Sequence, residues 1–168
     1  FLPRTQITAE CLADFMVALQ HVDSRGLVDV AALQKDREAL DRFIASMAKT
    51  SPLSSPERFP DVEDRIAFWL NAAHALVLQQ LIDAPDVTSA EQLSTFQTWP
   101  IGGQRLTRAA IERRFLSATG DGRVWLALFD GSTSGPLLDT APYGGDTLNP
   151  QLDDAARRFL RRTEGVQL

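Results

Sequence analysis

The chain has 168 residues, of which 44% are apolar and 23% charged, with a net charge of −5 and a pI near 5.0. That length suits one domain with one sizeable core, and we read residues 1–168 as a single domain. The acidic balance argues against a nucleic-acid footprint, which needs clustered lysine and arginine.

Two lysines, Lys35 and Lys49, accompany fifteen arginines. The one cysteine, Cys11, cannot form an internal disulfide or a cysteine metal site, and among apolar helix positions it reads as a buried thiol. The longest nearly apolar run, Ile66 to Leu78, is interrupted by Asn71 and His74 and falls short of the ~20 residues of a membrane span. The chain opens at Phe1 rather than Met, as expected where a leader or tag has been removed, and that is compatible with export.

In chain order, a first helix is expected over Thr8 to His21, with Leu12, Phe15, Met16 and Leu19 on one face. His21 sits where it would help the helix C-terminus. A turn at Asp23 to Gly26 leads to a second helix, Asp29 to Lys49, with Leu33, Leu40, Phe43, Ile44 and Met47 at helical spacing. Three prolines and three serines between Thr50 and Pro60 read as a loop. A third helix starts at an Asp61 N-cap and runs to about Ile82. It is apolar on nearly every face, as a buried central helix is.

The texture then shortens. Thr88 to Leu93 reads as a short helix. Phe96 to Ile101 and Gln104 to Leu106 flank Gly102-Gly103 as a β-hairpin. Thr107 caps a short helix with Ile111, Phe115 and Leu116. Arg123 to Phe129 reads as the best strand, and Gly131 to Pro136 as an irregular loop. Asn149-Pro150 signals an N-cap and first position of a last helix reaching Arg162, and Val166 to Leu168 the start of another strand. The expected fold class is therefore α+β: a helical core around a buried central helix, with a small, mostly antiparallel sheet in the second half.

Several segments, in order, resemble the domain of unknown function 547 family. Phe68-Trp69-Leu70-Asn71-Ala72-Ala73-His74-Ala75-Leu76 is similar to its "FWINxYNAL" helix, and Val28 to Leu33 to its "VDYxxL" entry. Leu106-Thr107 with Ile111-Glu112 resembles "LSxxxIEH", Arg123 to Leu128 resembles "RIHFAL", and Ser134-Gly135-Pro136 stands at "SCP". Gln151 to Ala156 resembles the family's last helix. The resemblance implies a polar site of two asparagines, Glu-His, a strand histidine and a cysteine, and bacterial members that are often exported, periplasmic or secreted. Here Asn71 and Glu112 match that pattern, whereas His74, Arg113, Trp125 and Gly135 replace its second asparagine, its two histidines and its cysteine. Thiol chemistry needs a sulfur and a base, and these positions supply neither.

The candidate site residues are Asn71, His74, Glu112 and Ser134, with Arg113 and Trp125 as candidate ligand contacts. Asn71 and His74 are three apart and share a helix face, where each needs a partner. They read either as a structural network or as a cleft shared with Glu112. Ser134 or Thr133, with His74 and Glu112, is a conceivable hydrolase set. Against it, the glycine spacing around Thr133 lacks the central serine of a nucleophile elbow, and Pro136 disfavours the helix that should follow. The same glycines lack the lysine of a phosphate loop. Asp130 and Asp139 flank the loop without the spacing of a calcium site, so no metal and no cofactor are expected. Arg157, Arg158, Arg161 and Arg162 read as a solvated face, Trp69 as core, and Trp125 as filling the family's pocket. The favoured reading is a non-catalytic binding or interaction module that has lost a Cys/His site, taking a protein or small-molecule partner; the alternative is the hydrolase.

Overall fold

The computed structural model describes residues 4–84, 86, 93 and 95–164, with side chains within 12–162. The Cys11 side chain, residues 88–92 of the expected short helix and the expected strand at Val166 to Leu168 lie outside the described residues.

Helix α1 spans Arg4–Leu19, starting and ending before the expected bounds. The expected second helix is two: α2, Val30–Lys35, and α3, Glu38–Lys49. Asp29 caps α2 by accepting from the Ala32 N–H at 2.9 Å. At the break, Arg37 pairs with Asp41 at 2.7 Å and with Asp83 at 2.9 Å, tying the start of α3 to the end of helix α4, Val62–Asp83. Gln34 on α2 donates to the Ile82 carbonyl at 2.9 Å, which satisfies one orphan acceptor at the α4 C-terminus. His21 pairs with Asp36 at 3.1 Å. Helix α3 is strongly amphipathic: Leu40, Phe43, Ile44 and Met47 are buried, and Phe43 stacks on Phe15 of α1 at 4.8 Å.

α4 is the buried centre that its sequence predicts. Asp61 and Asp64 form a capping box at its start, and thirteen of its 22 residues are buried, Asn71 and His74 among them.

The hairpin forms where Gly102-Gly103 places it. β1, Trp99–Ile101, pairs antiparallel with β2, Gln104–Leu106, and both glycines have positive φ, as a tight primed turn requires. A Cβ at Gly102 would also collide with Ser51. Trp99 donates its indole N–H to Gln79 of α4 at 2.7 Å, and Gln79 in turn donates to Asp41. The sheet is thereby locked onto α3 and α4.

Thr107 caps α5, Arg108–Ile111, through its side-chain oxygen and the Ala110 N–H. α5 widens into a π-turn at Glu112–Leu116 and then a 3-10 turn at Ser117–Thr119.

The expected strand at Arg123 to Phe129 is instead helix α6, Arg123–Ala127, followed by extended chain. Asp121 accepts the Arg123 N–H at 2.9 Å and starts the helix; Val124 and Ala127, three apart, are both buried. The strand preference of this stretch is a weak prior that local capping and burial override.

The last helix, α7, Leu148–Glu164, begins before Asn149. Thr147 accepts the Gln151 N–H there, and Asn149 does not cap but accepts from Arg123 at 2.9 Å. Arg123 also holds Asp121 and Asp153, at 2.6 and 2.7 Å, and so fastens α6 to α7. The architecture is α+β, with helices around α4 and a two-stranded antiparallel sheet in the second half.

Candidate functional site

The two polar side chains that interrupt the apolar run of α4 are each committed to the backbone of the second half. Asn71 donates from Nδ2 to the Tyr143 carbonyl at 2.8 Å and accepts the Tyr143 N–H on Oδ1, also at 2.8 Å. One amide side chain thus satisfies both backbone groups of one buried residue, as a neighbouring strand would. His74, 2% exposed, accepts the Phe129 N–H on Nε2 at 3.2 Å. That makes Nε2 the lone-pair nitrogen and puts the ring proton on Nδ1. Burial pushes the His74 pKa down to about 4, against a smaller opposing contribution from a backbone hydrogen bond with Ala127. The ring packs beside Phe129 and Tyr143, at 6.5 and 5.8 Å between centroids.

Glu112 lies at the first position of the π-turn and is half-buried. Burial raises its pKa, Arg108 lowers it and Asp130 raises it. Arg108, four residues before, is also half-buried; its buried Nε has no hydrogen-bond partner, and burial lowers its pKa. Sequence reasoning missed Arg108. The one available signal was its spacing of four from Glu112 at the start of a capped helix.

Ser134 and Thr133 are exposed on the loop after α6. The loop is built from small polar residues: Asp130 accepts the Ser132 N–H at 2.8 Å, and Ser132 Oγ accepts the Gly135 N–H at 2.8 Å. A Cβ at Gly135 would meet Asp130 and Ser132 oxygens at 2.6 Å, so a larger residue there would have to displace those side chains. From α7, Arg162 donates to the Gly135 carbonyl at 2.9 Å and to the Thr133 carbonyl at 2.6 Å. Arg162 therefore clamps the loop and does not simply face solvent. Arg158 likewise pairs with Asp139 at 3.0 Å.

The structure brings Asn71 and His74 together around Tyr143, and places Glu112 near Arg108 and Asp130. It does not join Ser134 or Thr133 to His74 or Glu112 by any hydrogen bond among the described residues. Arg113 is exposed, with its Nε 3.4 Å from the Ala109 carbonyl. Trp125 is 44% exposed on α6, so it does not fill a buried pocket. Its helix turns its Val124 and Ala127 face inward and leaves the indole outside. Among the described residues, no group of three or more His, Cys, Asp or Glu side chains is placed to hold a metal, and no helix is long and apolar enough to cross a membrane.

Comparison with known proteins adds one match. A family model described as "Protein of unknown function, DUF547" matches residues 57–160, from the loop before α4 into α7, and so contains every candidate discussed above. No curated protein and no solved structure matches the chain. With more than half of its length matched by that model, the chain belongs to the DUF547 family.

Proposed function

We propose that this chain is a non-catalytic binding or interaction module in which the polar positions of the family's helix have become structural. The observation that supports this reading most directly is the engagement of His74. Its Nε2 lone pair is occupied by the Phe129 N–H, the ring is buried, and its pKa lies near 4. A general base needs a free lone pair within reach of the proton it takes. Ser134 and Thr133 lie out in solvent, and among the described residues no hydrogen bond joins either to His74 or Glu112. The replacement of the family pattern's histidines and cysteine by Arg113, Trp125 and Gly135 points the same way.

The test is labelling of the intact protein with a fluorophosphonate serine probe, alongside Ser134→Ala and Thr133→Ala. The expected outcome is no adduct on any of the three proteins. An adduct on the wild type that disappears in Ser134→Ala or Thr133→Ala would establish a nucleophile and overturn the reading in favour of the hydrolase.

A further inference from the structure

The first turns of α4 and the π-turn face each other across a shallow, open groove of about 250 Å³. Its apolar surface comes from Val62, Ile66 and Trp69 on one side and Phe115 and Ala118 on the other. Trp69 and Phe115 are stacked flat, 3.9 Å apart and 2° from parallel, which fixes the floor. Phe115 and Ile66 are only half-buried and Val62 is 60% exposed, so the groove presents apolar surface that the fold leaves uncovered. The π-turn that carries Phe115 belongs to a class of irregularity that concentrates at functional sites.

The two titratable residues lining the groove, Arg65 and Arg114, are both cations, in a chain whose net charge is −5. Arg65 is fixed in place: Nε donates to the Phe59 carbonyl at 2.8 Å and Nη2 to the Pro60 carbonyl at 2.9 Å, which leaves Nη1 for another acceptor. Arg114 lies over the Phe115 ring, 5.1 Å from its centroid, and donates from Nη1 to Gln104 at 3.1 Å, with Nη2 and Nε open. Of the two acids in the first turn of α4, Glu63 and Asp64, Asp64 accepts from the Asp61 backbone N–H at 3.4 Å and lies beside Gly145.

We propose that this groove binds a small aromatic carboxylate, its ring against Val62, Ile66 and Ala118 and its carboxylate between Arg65 and Arg114. The inference rests on the binding-module reading and names a ligand class for it. Charge selects the carboxylate, because a guanidinium with free donors pairs best with a planar anion. Size suits a small molecule, because the volume of about 250 Å³ is near the lower end of ligand pockets and enough for a ring system.

The experiment is a 1H–15N NMR titration with 1-naphthoate, with 1-naphthalenemethanol as the uncharged counterpart. Shift changes are expected at Ile66, at the Trp69 indole and at Ala118, with the alcohol weaker by about tenfold or more. Arg114 is exposed, so Arg114→Gln should fold normally and lose about tenfold in affinity. Ala118→Trp, a substitution at an exposed position that fills the groove without touching charge, should abolish the shifts while leaving the thermal melt unchanged. The proposal is overturned if naphthoate produces no shifts, if the alcohol binds equally well, or if binding survives both substitutions. Binding of a phenylalanine-terminated peptide in preference to naphthoate also overturns it, in favour of a protein partner. A silent groove together with a silent serine probe removes this ligand and leaves the binding-module reading, whereas serine labelling removes that reading whatever the groove does.

Discussion

The helices before residue 84 and the short segments after residue 98 are held together by different forces. In the first half, α1, α3 and α4 meet through apolar side chains at helical spacing, such as Phe15 against Phe43, and polar contacts decorate the edges. In the second half, the elements before the 17-residue α7 are only 3 to 5 residues long, and side chains reach across the sequence to backbone groups. Asn71 bonds Tyr143, 72 residues away; His74 bonds Phe129, 55 away; Arg162 bonds Thr133, 29 away. A long helix satisfies its own backbone, whereas an irregular segment must borrow partners for its buried N–H and C=O groups. The polar residues on α4 are placed where that borrowing is needed.

If that contrast is right, removing a borrowed partner should cost as much as removing core volume. The largest effect is expected at Asn71. Asn71→Leu leaves both backbone groups of Tyr143, a residue 1% exposed, without partners. An unsatisfied buried group costs about 1–3 kcal/mol, so the pair should cost about 3 kcal/mol in urea unfolding. A variant as stable as the wild type would show that the segment around Tyr143 does not depend on α4.

His74 sharpens the comparison, because its contribution should depend on pH. His74→Ala orphans the Phe129 N–H and should cost roughly 1–3 kcal/mol at neutral pH. The folded His74 pKa, about 4, lies below the unfolded value near 6.5. Between these values the unfolded state binds more protons, so stability falls as pH falls. The contribution is complete above about pH 6.5 and is progressively lost down to about pH 4, with an upper limit of about 3 kcal/mol. Glu112, whose pKa is raised, acts in the opposite sense, and Asp41 and Asp121, whose pKa values are lowered, act below this window. The difference between wild type and His74→Ala isolates the histidine. Equal pH slopes for the two proteins between pH 4 and 6.5 would mean that His74 is not buried as a neutral clamp.

The same division explains what could be read from the sequence. Periodicity placed α1 and α3 within expected helices, and an apolar run behind the Asp61 cap placed α4, because those signals are local. Gly102-Gly103 and Thr107 located the hairpin and α5 because turn and cap chemistry is local. The break between α2 and α3 was not legible, because Arg37 reaches Asp83, which no local pattern reveals. The helical state of Arg123–Ala127 was missed because Val-Trp-Leu carries strand preference, while the Asp121 cap and the Arg123 links to α7 decide the outcome. At the site, the need of Asn71 and His74 for partners was legible, but the identity of those partners was not, since backbone groups leave no mark in a sequence. Arg162 looked like one of a run of surface arginines for the same reason.

The smallest effect is expected at that arginine. Arg162 gives the loop two charge-assisted bonds, to the Gly135 and Thr133 carbonyls, but both acceptors lie near solvent and water replaces them in part. Arg162→Leu should therefore cost only about 1 kcal/mol of global stability. Its local effect should be larger than that figure suggests. Among the described residues, the other hydrogen bonds within 130–135 are short-range ones among Asp130, Ser132 and Gly135, which bend the turn but do not fix it to α7. Amide hydrogen exchange in this loop should accelerate well beyond the change across α4. Uniform acceleration throughout the protein would instead make Arg162 a contributor to the core, and would erase the distinction between a half that packs and a half that is pinned.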